Sequence, residues 1–115
     1  MIGNLEIYVM YRQLAQDEAD SLISAGNVVV ADVRDEDSYK QGHIEGAIHL
    51  TMSTLQEFCD NNDKNTAILV YCFHGISSQS VAQHLIDQGF AEVYSLSGGY
   101  EAWKNARRLE GEDER

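Results

Sequence analysis

Two uninterrupted apolar runs, Val28-Val29-Val30-Ala31 and Ala67-Ile68-Leu69-Val70-Tyr71, constrain this chain more than any other feature. A strand with one wet face alternates apolar and polar residues. A strand without alternation is covered on both faces, as in a parallel sheet between two layers of helices. The segments between the runs have the spacing of those helices. Asp17 to Ala25 places Ala19, Leu22 and Ile23 on one face, opens with acids and ends at Gly26. Asp35 to Lys40 predicts a short helix capped by Asp35 and closed near Gly42. Ser53 begins another, which turns Leu55 and Phe58 inward and frays into the Asn/Asp cluster from Asp60 to Asp63. Val81, Ala82, Leu85 and Ile86 share the face of a helix that ends at Gly89, with Phe90 packing back on it. Tyr100-Glu101-Ala102-Trp103 starts a last amphipathic helix. Shorter strands are expected at Tyr11 to Leu14, Ile48-His49-Leu50 and Glu92 to Leu96. Strands alternate with helices throughout. Right-handed crossovers then give an α/β domain with a doubly wound central parallel sheet and helices on both faces.

Chain length and charge set further bounds. The 115 residues suffice for one domain with its own core. Residues 1–10 read as an N-terminal extension, and Ile7 and Val9, with Tyr11 just beyond it, would form a loose start or an edge strand. The charged stretch 106–115 reads as a disordered tail. A formal net charge of −11 argues against nucleic-acid and anionic-membrane partners, which need a basic face. No apolar run approaches a membrane span, and the first residues carry Glu6 and no basic leader. The two cysteines, Cys59 and Cys72, are too few for a disulfide framework, so a reducing compartment, the cytoplasm, is expected.

Chemistry concentrates at Tyr71-Cys72-Phe73-His74-Gly75-Ile76-Ser77-Ser78. Here a buried strand runs into a short glycine-containing loop and the loop into a helix. The N–H groups of such a loop, with the helix N-terminus, converge on an anion. The same field lowers the pKa of a cysteine placed there. The pattern points to Cys72 as a nucleophile facing an anionic substrate. The plainer reading is a cysteine buried at a strand end. In a doubly wound sheet ligands bind outside the carboxyl ends of the strands. Cys72 has that position, and so do Asp32-Val33-Arg34 and Ser97-Gly98-Gly99.

Those three loops carry a family resemblance. Asp32-Val33-Arg34, Tyr39 and Gly42-His43-Ile44-x-Gly46-Ala47 resemble the first signature of the rhodanese family; Ser97-Gly98-Gly99-Tyr100-x-Ala102-Trp103 resembles the second. Both flank a Cys-x-x-Gly loop in the expected order, and the likeness covers roughly residues 11–105, a single rhodanese-like domain. The loop itself is most similar to that of the single-domain thiosulfate sulfurtransferases. The resemblance implies that the Cys72 thiolate takes sulfane sulfur from thiosulfate as a persulfide. It would pass the sulfur to a thiophilic acceptor, cyanide in an assay or a dithiol such as thioredoxin in a cell. The amides from Phe73 through His74, Gly75, Ile76 and Ser77 to Ser78 would cradle the substrate, with Asp32 and Arg34 in support. No metal or organic cofactor is implied, and the protein would be a monomer or a weak homodimer. Two departures stand out. Many members of the family carry a loop arginine where this chain has Phe73 or Ser77, so backbone amides and hydroxyls must hold the dianion. Glu45 stands where proline is usual, a matter of local turn chemistry.

The remaining candidates divide between chemistry and structure. His74 would contact substrate or, in the preferred reading, bond to the loop backbone. Ser77 and Ser78 would donate to substrate oxygens, cap the helix, or both. Arg34 is expected to pair with a carboxylate and fix the loops rather than bind substrate. Cys59 is read as a packing residue rather than a resolving thiol, and Trp103 as core. His43, His49 and His84 lack metal-ligand spacing with the cysteines. A cysteine phosphatase on the same architecture needs an arginine after five intervening residues, where this chain has Ser78; without that clamp a phosphoryl transition state loses its main support. A non-catalytic partner-binding module and a sulfur carrier feeding a biosynthetic enzyme remain as alternatives.

Overall fold

The structure is a computed structural model that describes residues 10–113, with side chains through residue 108. The edge strand expected around Ile7 and Val9 lies outside the described residues. Strands and helices alternate as β1 (Arg12–Leu14), α1 (Gln16–Ala25), β2 (Val28–Asp32), α2 (Glu36–Gln41) and β3 (Ile48–His49). They continue as α3 (Leu55–Asn61), β4 (Ala67–Tyr71), α4 (Ser77–Asp87), β5 (Glu92–Leu96) and α5 (Gly99–Asp113). The sheet order is β1-β5-β4-β2-β3, and every pairing is parallel.

The two apolar runs are the two adjacent inner strands: β2 and β4 pair in register from Val28↔Ala67 to Asp32↔Tyr71. All five residues of β4 are buried. Successive side chains along a strand point to opposite faces, and β4 shows both destinations. Ile68 and Val70 pack with Leu55 and Cys59 of α3 and with Ala82, Leu85 and Ile86 of α4. Leu69 and Tyr71 pack with Ala19 of α1 and Trp103 of α5. Each large aliphatic side chain buried in this way stabilises the fold by roughly 1.5–3 kcal/mol. The sheet is therefore covered on both sides, as the lack of alternation requires.

Local signals act much as their chemistry dictates. Asp35 caps α2, its carboxylate accepting the Ser38 N–H at 3.1 Å and the Ser38 hydroxyl at 2.7 Å. Phe90 returns to α4 through a backbone bond to Leu85 O at 3.1 Å. Where boundaries differ, three have a visible cause. β1 begins at Arg12, because Tyr11 turns toward α4, where its hydroxyl donates to Gln79 Oε1 at 2.9 Å. α3 begins at Leu55, because Thr51, Ser53 and Thr54 form a hydroxyl-bonded turn first. Most visibly, α5 continues to Asp113, so helical backbone runs through most of the stretch 106–115 that its charge suggested was disordered. Arg107 explains part of this: its guanidinium lies 3.6 Å over the Trp103 ring and bonds Asp20 of α1 at 2.9 Å. Lys, Arg and Glu are also good helix formers. Among the described residues, no helix is long and apolar enough to cross a membrane.

Candidate active site

The end of β2 builds a buried polar frame. Asp32 is fully buried and accepts from Arg34 Nη2 at 2.7 Å, from the Arg34 N–H at 2.8 Å and from the Tyr71 hydroxyl at 2.7 Å. The same Arg34 Nη2 also donates to Gly42 O at 2.7 Å, and the Tyr71 hydroxyl accepts the Ile44 N–H at 3.1 Å. Burial, with Asp32 beside it, pushes the Tyr71 hydroxyl well above its ordinary pKa, so it stays a donor. The Arg34 guanidinium also covers the Tyr100 ring at 4.1 Å. One carboxylate thus ties β2, β4, the loop after α2 and the start of α5 together. Arg34 pairs with a carboxylate, as its position next to acids suggested.

Above this frame sits the loop that joins β4 to α4. The first N–H groups of a helix have no partner within it. In α4 the Ser78 N–H donates to Cys72 Sγ at 3.1 Å, and within the loop the Gly75 N–H donates to the same sulfur at 3.2 Å. The Ser78 hydroxyl lies 3.3 Å from Sγ. Gly75 has φ +89°, and a Cβ there would stand 2.7 Å from Gly98 N. Gly99 has φ +64°, and a Cβ there would stand 2.5 Å from Phe73 O. The two glycine turns are therefore pressed against each other. The contact lets α5 clamp the loop: the Tyr100 N–H donates to Cys72 O at 2.8 Å and the Glu101 N–H to Phe73 O at 3.1 Å. The dipole of α5 is spent on holding loop carbonyls, while the inward-facing loop amides and α4 are turned to the sulfur.

This environment decides the charge of Cys72. Burial, the largest single influence, raises its pKa. The Ser78 hydroxyl and the N–H groups of Ser78, Gly75 and His74 together outweigh it, and the thiol ends below its ordinary value. Cys59 differs. It is fully buried on α3, and burial pushes its thiol up. Since the thiolate is the nucleophile, native protein treated briefly with iodoacetamide is expected to label Cys72 before Cys59. The Cys72 rate should rise with pH through a midpoint below that of a free thiol. A peptide map at several pH values checks this. Cys59 labelling first would show that the loop donors do not outweigh burial.

The other sequence candidates fall into different surroundings. His74 does not bond to the loop backbone as expected; its exposed ring meets Glu101 of α5, Nδ1 to Oε1 at 2.9 Å, because the α5 clamp brings that carboxylate alongside. Phe73 is half exposed and stacks on His74, and Ile76 is largely exposed. Neither Ser77 nor Ser78 caps α4 through its side chain. Ser77 borders a small cavity of about 110 Å³ with Val33, Leu50, Met52, Leu55 and Val81, whereas Ser78 is fully buried against Cys72. His43 and His49 bond to the carbonyls of Tyr39 and Arg34 and stack on Tyr39. Among the described residues, no cluster of three His, Cys, Asp or Glu is placed to hold a metal ion.

Two side chains in the site were missed from the sequence. Gln79 donates to Gly75 O at 2.8 Å and so braces the loop, and Ser95 of β5 lies 2.8 Å from the Ser78 hydroxyl. The clue to Ser95 was a polar residue two positions from Val93, on the same face of a buried strand, since such a group needs a partner.

The chain matches the rhodanese-like domain family over residues 15–106. It is 57% identical over 96 residues to the thiosulfate sulfurtransferase GlpE of Coxiella burnetii, covering 84% of this chain and 90% of that protein. Among solved structures it resembles a rhodanese-like domain protein from Staphylococcus aureus, with a TM-score of 0.71, 26% identity and coverage of 80% and 90%. It also resembles a rhodanese-related protein from Thermoplasma volcanium, with a TM-score of 0.69, 26% identity and coverage of 84% and 93%.

Proposed function

The chain belongs to the rhodanese family as a single-domain member of the GlpE type, and from that premise we propose that it is a thiosulfate sulfurtransferase working through a Cys72 persulfide. The observation that carries this reading is the thiol held by one loop N–H, one N–H of the first turn of α4 and a buried hydroxyl, in a chain so similar to a thiosulfate sulfurtransferase.

The Cys72 thiolate attacks the outer sulfur of thiosulfate. The new Cys72 S–S bond forms as the thiosulfate S–S bond breaks, and sulfite leaves with the electron pair. The persulfide that remains is anionic at its outer sulfur, and the loop from Phe73 through His74, Gly75, Ile76 and Ser77 to Ser78 offers it amide donors. A thiophilic acceptor then attacks that outer sulfur and the Cys72 thiolate leaves. Cyanide yields thiocyanate; a thiolate yields an acceptor persulfide, and in a dithiol such as thioredoxin the second thiolate then attacks the inner sulfur of that persulfide, closing the disulfide and releasing the outer sulfur as hydrosulfide. The route needs no resident metal or organic cofactor. Arg34 is engaged by Asp32, so the dianion depends on backbone dipoles, and thiosulfate binding is expected to be weak.

The test is an intact mass after incubation with thiosulfate. One added sulfur atom is expected, mapped to Cys72 and removed by cyanide. Candidate acceptors are then offered to the loaded protein. Failure to take up sulfur would move the chain to the non-catalytic, partner-binding reading. Loading followed by release to one biosynthetic enzyme alone would make it a dedicated carrier.

A further inference from the structure

Behind Cys72 lies a chain of two hydroxyls. Ser78 Oγ is 3.3 Å from Cys72 Sγ and 2.8 Å from Ser95 Oγ, and both serines are fully buried. Each hydroxyl has one hydrogen, so the chain has two self-consistent directions. With a neutral thiol, Cys72 donates to Ser78 and Ser78 donates to Ser95. With a thiolate both reverse: Ser95 donates to Ser78, and Ser78 donates to the sulfur. We propose that Ser95 is a positioning residue for the Cys72 thiolate, because its donation to Ser78 Oγ turns the Ser78 hydrogen toward the sulfur.

The reversal needs no proton transfer between the serines. The thiol proton leaves to solvent, the two hydroxyl hydrogens rotate about their C–O bonds, and neither changes oxygen. A donor that is itself accepting a hydrogen bond is more polarised and donates more strongly, and low polarity around the chain strengthens the effect. The charged and titratable side chains nearby are engaged elsewhere. Asp32 pairs with Arg34, Tyr71 donates to Asp32, His74 meets Glu101, and Tyr11 donates to Gln79. The Ser78 hydroxyl is also the leading hydrogen bond among those that lower the Cys72 pKa. Whatever orients it therefore has leverage on the nucleophile. The position of Ser95 follows from the fold: β5 neighbours β4, and Ser95 pairs in register with Val70, two residues before Cys72.

The inference rests on the sulfurtransferase reading only in taking Cys72 as the reacting group. The experiment is the pH dependence of Cys72 alkylation in wild type, Ser95→Ala, Ser78→Ala, the double variant and Ser95→Thr. Ser95→Ala is expected to raise the midpoint by about half a pH unit, leaving about threefold less thiolate at pH values below it. Ser78→Ala should raise it further. The double variant should match Ser78→Ala, because Ser95 acts only through Ser78. Ser95→Thr keeps the hydroxyl and should keep the native midpoint. A native midpoint in Ser95→Ala would overturn the proposal. So would an equal Ser95→Ala shift in the Ser78→Ala background, or a Ser95→Thr shift as large as that of Ser95→Ala. Labelling uses no sulfur donor, so its failure leaves thiosulfate turnover standing. A native protein that takes no sulfur from thiosulfate would sink the sulfurtransferase reading alone.

Discussion

A Cys72→Ser protein is expected to fold as the wild type does and to lose sulfur transfer by at least about a thousandfold, the scale on which removal of a covalent nucleophile acts. The fold should survive because the side chain is small and is held mainly by backbone: the loop is clamped by α5 through the carbonyls of Cys72 and Phe73, and those bonds do not involve the sulfur. Chemistry should not survive. A serine hydroxyl at that point has no base beside it; the polar contacts of the sulfur are Ser78 and loop N–H groups, all placed to favour an anion already formed. Thiocyanate formation and the intact mass after thiosulfate are the measurements. Turnover near the wild-type rate in Cys72→Ser would remove the persulfide mechanism. The control is Cys59→Ser. Cys59 is fully buried in the α3–α4 side of the core, so its replacement should lower stability and leave turnover nearly unchanged. A folded Cys59→Ser protein with a large loss of turnover would make Cys59 a resolving thiol instead.

The parts of this molecule that the sequence reveals are those governed by short-range rules. β4 is legible because five consecutive buried positions leave no polar face, and β2 because Val28-Val29-Val30-Ala31 runs apolar without alternation. The loop after β4 is legible because strand, cysteine, glycine and helix follow one another directly. Contacts between distant segments are less so. The glycine turn at Gly98 and Gly99 announces a sharp bend, but not that it presses on Gly75. Ser95 and Gln79 look like ordinary polar residues until β5 and α4 are set beside the loop. His74 illustrates the same limit from the other side: its partner, Glu101, is 27 positions away and arrives only because α5 docks on the loop. The charged end of α5 differs from its composition for another reason. Composition alone suggested disorder, whereas Arg107 finds both an aromatic face and a carboxylate from α1.

Replacing Arg34 with methionine should be the most damaging change outside the loop itself. The substitution keeps an apolar stem of similar length and removes the guanidinium. Asp32 would remain fully buried, with only the Arg34 N–H and the Tyr71 hydroxyl as donors. Breaking one side of a buried pair leaves an uncompensated charge and costs about 3–5 kcal/mol. That is a large share of the roughly 5–15 kcal/mol that holds a domain of this size together. Gly42 O would lose its donor and Tyr100 its cationic partner, adding to the loss. A fall in Tm of about 10–20 °C is expected. Restoring neutrality should recover part of it: Asp32→Asn combined with Arg34→Met leaves polar groups short of partners but no buried charge, and should melt above Arg34→Met alone. Because Arg34 joins loops and is itself held by Asp32 and Gly42, turnover per folded molecule at low temperature should stay within a fewfold of wild type. Thermal melts and thiosulfate kinetics on the same preparations separate the two roles. Should Arg34→Met melt like the wild type and yet raise KM for thiosulfate steeply, Arg34 would be a cation for the substrate rather than the keystone of the frame beneath it.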